Sequence, residues 1–520
     1  MLLCVSVLGG ISANKNYTDV AELYSVKSNS SRSQNGIKTV NSTITAIEVN
    51  STKQEVVSTS TEGSFSYPDT ICGLCNCVKF TIDCTERDIR RPFDLSDWKG
   101  LKISKPIDVD LSRNPLIAVS EISELPIRKL NFSQCHIEVI DDVCFVHLKD
   151  LSSLDFSYNR LSTFSLSRKV FAGVMVPQQR PQQFLKMRYL SLAYNSIHSL
   201  PQDLFAFMTA LTHLDLSGNP LTIIDQVTMG AISDLIYLKE LKLSNCDLEA
   251  IPEGMFRRLP RLERLDVSGN RFTTVPAVLK EAVNLMYLNF DNNLLEFLDK
   301  TTPISSLKKL VELHLCYNPE LKSIESGALG GLEDLSVLHI SNNLKLSKID
   351  ASFLVWEDEL INKRWPLVKE LYIHSNNITE ISSKILEGWD HVTRVDFSNN
   401  PYICDCNNQW MVDFLTPLVI SLAGKRKASK MVCRKPLSLI GTTFVELYKD
   451  KTTLECEYAA GLFNAAGPNL YLLFGIVIGI FATFPLVLIV VLLWRRGYFA
   501  KYRKHVDDTK WDEDEETDNF

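Results

Sequence analysis

Hydrophobic residues recur through the central part of the chain in the nine-residue pattern LxxLxLxxN, in which the x positions are mostly polar. Three clear copies are LTHLDLSGN at residues 211–219, LERLDVSGN at 262–270 and LSVLHISNN at 335–343. The alternation in LxL predicts a short strand with one buried face. Because no single repeat can bury that face alone, we expect the strands to lie side by side in one parallel sheet.

The fourth position of the pattern marks about twelve repeats, which occupy residues 106–400. The markers are Val109, Leu130, Leu154, Leu190, Leu214, Leu241, Leu265, Leu288, Leu313, Leu338, Leu371 and Val395. Most neighbouring markers are 23 to 25 residues apart. A period of this length predicts a repeat solenoid rather than a set of separate domains.

Two longer spacings predict insertions in this array. One lies around Arg168 to Lys186 and the other contains Trp356 and Trp365. Insertions in a solenoid are loops that project from it. Each is therefore either a contact for a partner or a tolerated surface excursion, and the two tryptophans are expected to be exposed.

The ninth position of the repeat is most often asparagine, at the point where the strand ends and the chain turns. An asparagine amide can satisfy backbone groups that such a turn leaves buried. Cys135 and Cys246 replace asparagine at this position. We expect both to be buried structural residues rather than redox sites. The asparagines are Asn159, Asn195, Asn219, Asn270, Asn293, Asn318, Asn343, Asn376 and Asn400.

These motifs resemble those of the leucine-rich repeat proteins of cell surfaces, and the resemblance covers roughly residues 72 to 456. It implies an α/β solenoid, a curved horseshoe with a parallel sheet on its concave face and a disulfide-bonded cap at each end. A cap is needed physically, because the apolar interior of a solenoid would otherwise meet water at both ends.

Two groups of cysteines lie where the caps are expected, at 71–105 and 401–458. The resemblance implies four disulfides. The alternative of a zinc site is poor, because thiols of a secreted domain are oxidised and no histidine stands at ligand spacing. The implied pairs are Cys72 with Cys77, Cys75 with Cys84, Cys404 with Cys433, and Cys406 with Cys456.

Both ends of the chain carry membrane signals. Residues 1–13 are typical of a secretory signal peptide. Residues 470–494 contain no charge and are long enough as a helix to cross a bilayer. Basic residues follow this span at once, whereas a linker at 459–469 carries no charge, so the tail at 495–520 is expected in the cytoplasm. The sequence thus predicts a single-pass type I protein of the plasma membrane.

Residues 14–70 are rich in serine and threonine and poor in large apolar residues, which is typical of a disordered, glycosylated stalk. Six acceptor triplets for N-linked glycans lie on the predicted outer side. A glycan at Asn131 would lie on the concave face and would discourage binding near its N-terminal end. The six acceptors are Asn16, Asn29, Asn41, Asn50, Asn131 and Asn377.

The composition of the chain excludes several classes of function. The 520 residues carry 55 basic and 62 acidic side chains, so no overall basic charge favours binding to nucleic acid. Thirteen cysteines indicate an oxidising compartment. No nucleophile elbow, phosphate loop or metalloprotease motif occurs. We expect no enzyme, and hence no catalytic residue, cofactor or metal centre.

One part of the predicted concave face combines aromatic rings with imidazoles on neighbouring strands. Aromatic side chains with polar tips are favoured at the centres of interfaces. We therefore predict a patch that binds a protein ligand, with the alternative that its histidines sense pH or bind a metal ion. The patch consists of Tyr287, His314, Tyr317, His339, Tyr372 and His374.

Four cysteines of the predicted repeats lie outside the cap groups. Cys135 and Cys144 are near enough in sequence to pair, which is one alternative. Cys246 and Cys316 are too many strands apart to form a disulfide. We expect Cys316 to point outward as a free thiol.

The sequence favours a non-catalytic recognition protein, an adhesion molecule or co-receptor that binds an extracellular or cell-surface protein. An intracellular adaptor at the acidic tail is a further candidate partner. Two other functions remain open. One is an innate-immune capture or decoy receptor, and the other is an auxiliary subunit that modulates a membrane channel.

Overall fold

The structure is a computed structural model that describes residues 71–90, 103, 105–122, 124–171, 184–358 and 360–456, and parts of 475–496. The predicted signal peptide, the stalk with Asn16, Asn29, Asn41 and Asn50, most of the first insertion, the linker and the tail beyond residue 496 lie outside the described residues. The described residues fall into two compact units, one within residues 1–377 and 384–396 and the other within 378–383 and 397–520.

Short strands dominate the part of the chain that the structure describes. In chain order they are β1 (Asn76–Val78), β2 (Thr81–Asp83), β3 (Ile107–Asp110), β4 (Ala118–Val119), β5 (Ile127–Asn131), β6 (Val139–Ile140), β7 (Ser153–Asp155), β8 (Tyr189–Ser191), β9 (His213–Asp215), β10 (Glu240–Lys242), β11 (Arg264–Asp266), β12 (Tyr287–Asn289), β13 (Phe297–Leu298), β14 (Glu312–His314), β15 (Ser323–Ile324), β16 (Val337–His339), β17 (Lys348–Ile349), β18 (Trp356–Glu357), β19 (Lys363–Arg364), β20 (Glu370–Tyr372), β21 (Arg394–Asp396), β22 (Pro401–Ile403) and β23 (Val432–Lys435).

Fourteen of these strands form one sheet in the first unit, in the order β1-β2-β3-β5-β7-β8-β9-β10-β11-β12-β14-β16-β20-β21. The twelve fourth-position residues pair with one another in register from Val109 to Val395. This confirms the parallel sheet that the leucine pattern predicts. Both insertions leave the register intact, since Leu154 pairs with Leu190 and Leu338 with Leu371.

The N-terminal cysteine segment adds two strands to this sheet. Strand β1 pairs antiparallel with β2, and β2 pairs parallel with β3 through Ile82 and Val109. Disulfides Cys72–Cys77 and Cys75–Cys84 hold the segment, and Cys84 is fully buried. The segment thus continues the hydrogen-bonding of the repeats and covers the apolar residues of the first repeat.

The core of the first unit is built from the fourth and sixth positions of the repeats. Leu154, Leu241 and Leu313 have no exposed surface. Several sixth positions hold phenylalanine, and the rings of Phe132 and Phe156 stack with their centroids 5.2 Å apart. Burying one such side chain contributes about 1.5–3 kcal/mol, so the repeated column is the main source of stability.

The class α/β was wrong for the described repeats, which form a β-solenoid. One α-helix, α1 (Gln226–Ser233), lies among them, and Asp225 caps it by accepting a hydrogen bond from the Thr228 N–H. Repeats of 23 to 25 residues leave too little chain after the strand for a helix of stable length. The return segments contain short strands and 3₁₀ turns instead, among them Thr163–Ser165, Ala277–Glu281 and Pro303–Ser306.

The asparagines at the ninth position make the bonds that the sequence predicts. Asn318 has no exposed surface; its Oδ1 accepts the Asn293 N–H at 3.2 Å, and its Nδ2 donates to the Phe290 carbonyl at 3.3 Å. Cys135 and Cys246 are also buried and place Sγ 3.4 Å from the carbonyl oxygens of Leu111 and Leu216. Their role as buried structural residues is confirmed.

The second unit holds the C-terminal cysteines. Strands β22 and β23 pair in parallel, and disulfides join Cys404 to Cys433 and Cys406 to Cys456. Between residues 401 and 456, this unit contains a π-helix at Met411–Leu415, α2 (Thr416–Ala423), α3 (Lys425–Ala428) and α4 (Phe444–Lys449). The remaining 3₁₀ turns of the chain are Ile71–Gly73, Ser383–Leu386, Cys406–Asn408 and Leu437–Leu439.

The predicted membrane span at 470–494 lies mostly outside the described residues. Residues 487–495 are helical. Within the described part of the chain, no helix combines the length and the apolar character that crossing a bilayer requires. The span therefore stays a prediction.

Candidate ligand-binding face

The third and fifth positions of the repeats form one surface of the fourteen-stranded sheet, which we call the open face. Four rings on neighbouring strands form a continuous row on it, the aromatic ladder: Tyr287 on β12, His314 on β14, His339 on β16 and Tyr372 on β20. The last three rings are stacked, whereas the Tyr287 ring is tilted by 49° to that of His314. Successive ring centroids are 5.3, 4.4 and 4.6 Å apart. Neighbouring strands lie about 4.8 Å apart, so the rings of His314, His339 and Tyr372, which share the fifth position, stack without distorting the sheet.

A cation extends the ladder at one end. The guanidinium carbon of Arg264 on β11 lies 3.8 Å from the centroid of the Tyr287 ring. Arginine over the face of an aromatic ring is attracted by the negative charge of the π-system. Five planar groups thus occupy five successive strands.

Carboxylates line the ladder. The Glu312 carboxylate lies 2.7 Å from His314 Nε2, and this hydrogen bond lowers the pKa of Glu312. Asp291 Oδ2 lies 3.9 Å from Nδ1 of the same ring. At the other end, the Tyr372 hydroxyl donates to Glu370 at 2.7 Å, and Glu370 also pairs with Arg394 at 2.8 Å. The ladder is thus apolar on its ring faces and polar at its edges.

Burial differs along the ladder. His314 is only 8% exposed, whereas Tyr287, His339 and Tyr372 are half-buried. Burial raises the pKa of Tyr287, and burial with the hydrogen bond to Glu370 raises the pKa of Tyr372 to about 12. Both phenols therefore remain neutral hydrogen-bonding groups at neutral pH. Half-buried rings of this kind still present surface to a partner.

The other two residues of the predicted patch follow the strands. Tyr317 is half-buried at the eighth position of its repeat and has a positive φ of 55°. His374 is half-buried at a seventh position, with Nδ1 3.1 Å from the Ser375 hydroxyl. The structure thus brings four of the six predicted residues into one row and places the other two at the ends of its strands.

A second group of tyrosines on the first unit escaped the sequence analysis. The rings of Tyr158 and Tyr194 stack with centroids 4.3 Å apart, and both are exposed. They occupy the eighth position, which has a positive φ between 54° and 67° in all twelve repeats. The available signal was the recurrence of glycine and asparagine there, at Gly218, Asn245, Gly269, Asn292, Asn342 and Asn399, since these residues tolerate that conformation best.

The aspartates of the fifth position have a structural role. Oδ1 of Asp110, Asp155, Asp215 and Asp266 accepts the backbone N–H two residues further on, at 2.8 to 3.0 Å. Such bonds fix the turn that leaves the strand. These carboxylates are therefore more than a solvated surface.

Two predicted glycan acceptors lie within the described residues. Asn377 is exposed. Asn131 lies in a groove of about 510 Å³ on the open face, where its Nδ2 donates to Asp110 and its Oδ1 accepts the Ser133 N–H. Attachment of a sugar to Asn131 would need this amide to leave its bond to Asp110.

For the remaining cysteines, one alternative is excluded and one expectation was wrong. Cys135 and Cys144 do not pair, since both are free and buried. Cys316 does not point outward, because it has no exposed surface. It stands at the seventh position, where the next repeat places Ser341, which is buried as well. The thiol therefore fills a space sized for a small side chain.

The second insertion also differs from expectation. Its strands β18 and β19 form an antiparallel hairpin. Trp356 and Trp365 are half-buried rather than exposed, and the Trp365 ring lies beside Gly388. The exposed apolar residues are Leu360 and Ile361 at the hairpin tip, and Ile361 has a φ of 60°, which is rare for a β-branched residue.

The comparisons with known proteins agree with this architecture. The leucine-rich repeat family matches residues 185–237, 222–272, 236–295 and 283–344. Tsukushi of Gallus gallus is 30% identical over 209 residues, which are 39% of this chain and 51% of Tsukushi. Adenylate cyclase of Schizosaccharomyces pombe is 30% identical over 223 residues, which are 42% of this chain and 12% of the cyclase. The chain thus spans about half or less of the length of these relatives.

Among solved structures, one chain of the octameric complex of latrophilin 3, Unc5D and FLRT2 is similar to 71% of this chain and 96% of its own length. Its sequence identity is 19% and the TM-score is 0.48. A likeness of this extent carries no argument about function.

The stacked repeats, the disulfide pairs of the N-terminal segment and the family match define the class of protein. The described repeats form a β-solenoid, and residues 185–344 within them match the leucine-rich repeat family. The chain is related to Tsukushi, which shares a repeat region of about two hundred residues with it.

Proposed function

We propose that the chain is a non-catalytic recognition protein of the cell surface and that the aromatic ladder is the centre of the surface that binds its protein ligand. The continuous row of Tyr287, His314, His339 and Tyr372 carries this proposal. Its rings are held in place by one another and by Glu312 and Glu370, so little side-chain entropy is lost on binding. Aromatic residues with such support are the usual anchors of protein interfaces.

The charges around the ladder indicate the chemistry of the ligand. Asp291, Glu312 and Glu370 lie beside the rings, and Arg264 and Arg394 stand at its two ends. A ligand surface with one or two central cations and a flanking carboxylate is complementary to this arrangement. An arginine side chain of the ligand would pair with the carboxylates beside the exposed ring edges.

The test is a binding screen in which cells display the full chain and tagged ectodomains of surface proteins serve as probes. For any ectodomain that binds, Tyr372→Ala should weaken binding at least tenfold, because a buried ring at the centre of an interface contributes more than about 1.4 kcal/mol. Tyr237→Ala is the matched control. Tyr237 is an exposed tyrosine with a cation, Arg261, 4.5 Å from its ring, but it lies outside the open face.

Unchanged binding by both Tyr317→Ala and Tyr372→Ala would exclude the ladder as the binding surface. Both variants should be displayed at the level of the original chain, which antibody staining measures. A loss of display would instead report a folding defect, and Tyr372→Phe then replaces Tyr372→Ala, because it keeps the ring and removes only the hydroxyl bond to Glu370.

Membrane anchoring is part of the same proposal. It is supported by the uncharged run at 470–494 and by Arg495 and Arg496 directly after it. Epitope tags at residue 70 and at the C-terminus distinguish the orientation. In intact cells, antibody should reach only the first tag, and staining of the second without permeabilisation would contradict a type I protein.

A further inference from the structure

Three ionisable side chains meet at the middle of the ladder on two neighbouring strands. Glu312 and His314 belong to β14, and His339 belongs to β16. Each offers one ligand atom, and these atoms lie within 4.8 Å of one another. Glu312 and His339 are half-buried, whereas His314 is buried. The group is thus a set of two imidazoles and one carboxylate that remains open to solvent on one side.

The contact between Glu312 and His314 requires a hydrogen atom or a cation between the two side chains. Oε1 of the carboxylate and Nε2 of the imidazole are 2.7 Å apart. A carboxylate oxygen and a ring nitrogen that both present lone pairs would repel each other at this distance. Either a proton or a metal cation must therefore lie between them.

The environment of the other ring nitrogen favours a metal ligand. His314 Nδ1 lies 3.9 Å from Asp291 Oδ2, so a shift of about 1 Å is needed for Nδ1–H to donate a hydrogen bond to this carboxylate. Asp291 is itself fixed, since its Oδ1 accepts the Cys316 N–H at 2.5 Å. A histidine that ligates a metal usually directs its second nitrogen to a carboxylate, which selects the tautomer and the orientation of the ring. In this tautomer the proton sits on Nδ1, and Nε2 is the nitrogen that faces Glu312.

We propose that Glu312, His314 and His339 bind a divalent transition-metal ion such as Zn²⁺, with Asp291 as the outer carboxylate of His314. Two imidazoles and a carboxylate are a donor set that Zn²⁺ prefers, whereas Ca²⁺ takes six to eight oxygen ligands. Ligands about 2.1 Å from a tetrahedral ion stand roughly 3.4 Å apart. The Glu312 and His314 atoms, now 2.7 Å apart, therefore have to separate slightly, and the wider separations in the group, which reach at most 4.8 Å, have to close. The half-buried ring of His339 can supply that movement by turning out of the stack.

The fourth position of such an ion faces solvent, because the open face has no covering element in the described residues. The site does not depend on the proposed protein ligand, since the three side chains and Asp291 all belong to one unit of this chain. If a partner is bound there, its own donor group can take the fourth position. The binding of metal alone is therefore the sharper test.

The experiment titrates the full-length protein with ZnCl₂ in competition with a chromogenic zinc chelator and compares variants. His339→Ala and Glu312→Gln should each weaken the binding of Zn²⁺ to the protein at least tenfold, as measured by its competition with the chelator. Glu312→Gln keeps the shape of the side chain and removes only its charge. His213→Ala is the matched control, because His213 lies on the same open face with Glu240 at 3.9 Å but has no second imidazole in contact. It should bind Zn²⁺ as the original chain does.

CaCl₂ at a hundredfold excess should not displace the bound Zn²⁺. Equal affinity in the original chain, His339→Ala and Glu312→Gln would overturn the proposal, as would the absence of any bound Zn²⁺. Circular dichroism of each variant shows whether it is folded. If His339→Ala is unfolded, His339→Gln takes its place, because the longer amide side chain retains part of the packing against His314 and Tyr372.

Discussion

The ring of Tyr194 occupies the space that a side chain at Gly218 would need. A Cβ atom built on Gly218 would lie 2.4 Å from Tyr194 Cδ1. The opposite face of the ring stacks on Tyr158 at 4.3 Å between centroids. Three consecutive repeats thus place a tyrosine, a tyrosine and a glycine at the eighth position, and the glycine allows the second ring to lie flat.

Gly218→Ala should therefore lower the free energy of unfolding more than Gly254→Ala does. Both glycines have a positive φ, of 67° and 85°, and share the conformational penalty of about 1–2 kcal/mol. Only Gly218→Ala adds a clash, worth about another 1–3 kcal/mol, because nothing lies within 4 Å of a Cβ at Gly254. Urea unfolding measures the free energy of unfolding of both variants. Equal decreases would contradict the contact between a side chain at Gly218 and the Tyr194 ring. Adding Tyr194→Ala to Gly218→Ala should remove most of the difference between the two glycine variants.

Asn343→Ala should destabilise the protein more than Cys246→Ala. Asn343 Oδ1 accepts the Asn318 N–H at 2.7 Å, and its Nδ2 donates to the Leu315 carbonyl at 3.0 Å. Its replacement removes two partners at a buried site, at about 1–3 kcal/mol for each unsatisfied group. Cys246 supplies one weak donor, to the Leu216 carbonyl. Urea unfolding measures the free energy of unfolding of both variants. A larger decrease for Cys246→Ala than for Asn343→Ala would be inconsistent with these hydrogen bonds.

The leucine pattern predicts the register of the sheet well because a strand with one buried face tolerates no shift by one residue. It also predicts the ladder, since His314, His339 and Tyr372 stand at the same position of neighbouring repeats. Arg264 was not predicted. It belongs to the third-position column, and its contact with Tyr287 depends on the direction of a long side chain, which the pattern does not specify.

The errors concern positions after the strand. Cys316 was expected to point outward, but it is buried at the seventh position, as Ser341 is in the next repeat. The left-handed eighth position escaped notice because Arg113, Gln134 and Tyr158 also occupy it. Half of the repeats have a residue at the eighth position that does not favour a positive φ. The sequence pattern therefore indicates this backbone conformation only weakly.

The four cysteines of the repeats that form no disulfide should resist alkylation in the folded protein. Burial raises the pKa of Cys135 to about 11, that of Cys246 to about 12, and that of Cys144 well above its usual range. A raised pKa keeps each thiol protonated at pH 8, and the thiolate is the reactive form. Iodoacetamide at pH 8 followed by peptide mass spectrometry should find these residues unmodified. The same reagent in guanidinium without reductant should label Cys135, Cys144, Cys246 and Cys316 and spare the eight disulfide cysteines.

Native labelling of Cys316 would show that its side chain faces solvent after all. Labelling of Cys72 or Cys404 in guanidinium without reductant would contradict the corresponding disulfide. A sample treated with reductant before alkylation serves as the control, because every cysteine of the repeats and both cysteine groups should then react.

The hairpin of the second insertion should open in acid. Asp358 Oδ1 accepts the N–H groups of Leu360 and Asn362, each at 2.9 Å, and Oδ2 pairs with Arg364 at 2.8 Å. These contacts, first of all the backbone hydrogen bond from Asn362, lower the pKa of Asp358 from 3.8 to about 2. Because the pKa is lower in the folded state, the stabilisation is complete above about pH 4. It is lost as the pH falls through about 2.

Hydrogen exchange of the peptide that spans residues 356–365, corrected for the intrinsic rate at each pH, measures this opening. Protection should fall between pH 4 and pH 2 in the original chain. Asp358→Asn, which does not titrate, should show low protection that changes little over this range. Glu357→Gln is the matched control, since it neutralises the neighbouring exposed carboxyl and should leave the transition in place. A transition of the same size in Asp358→Asn would assign the opening to another carboxyl group.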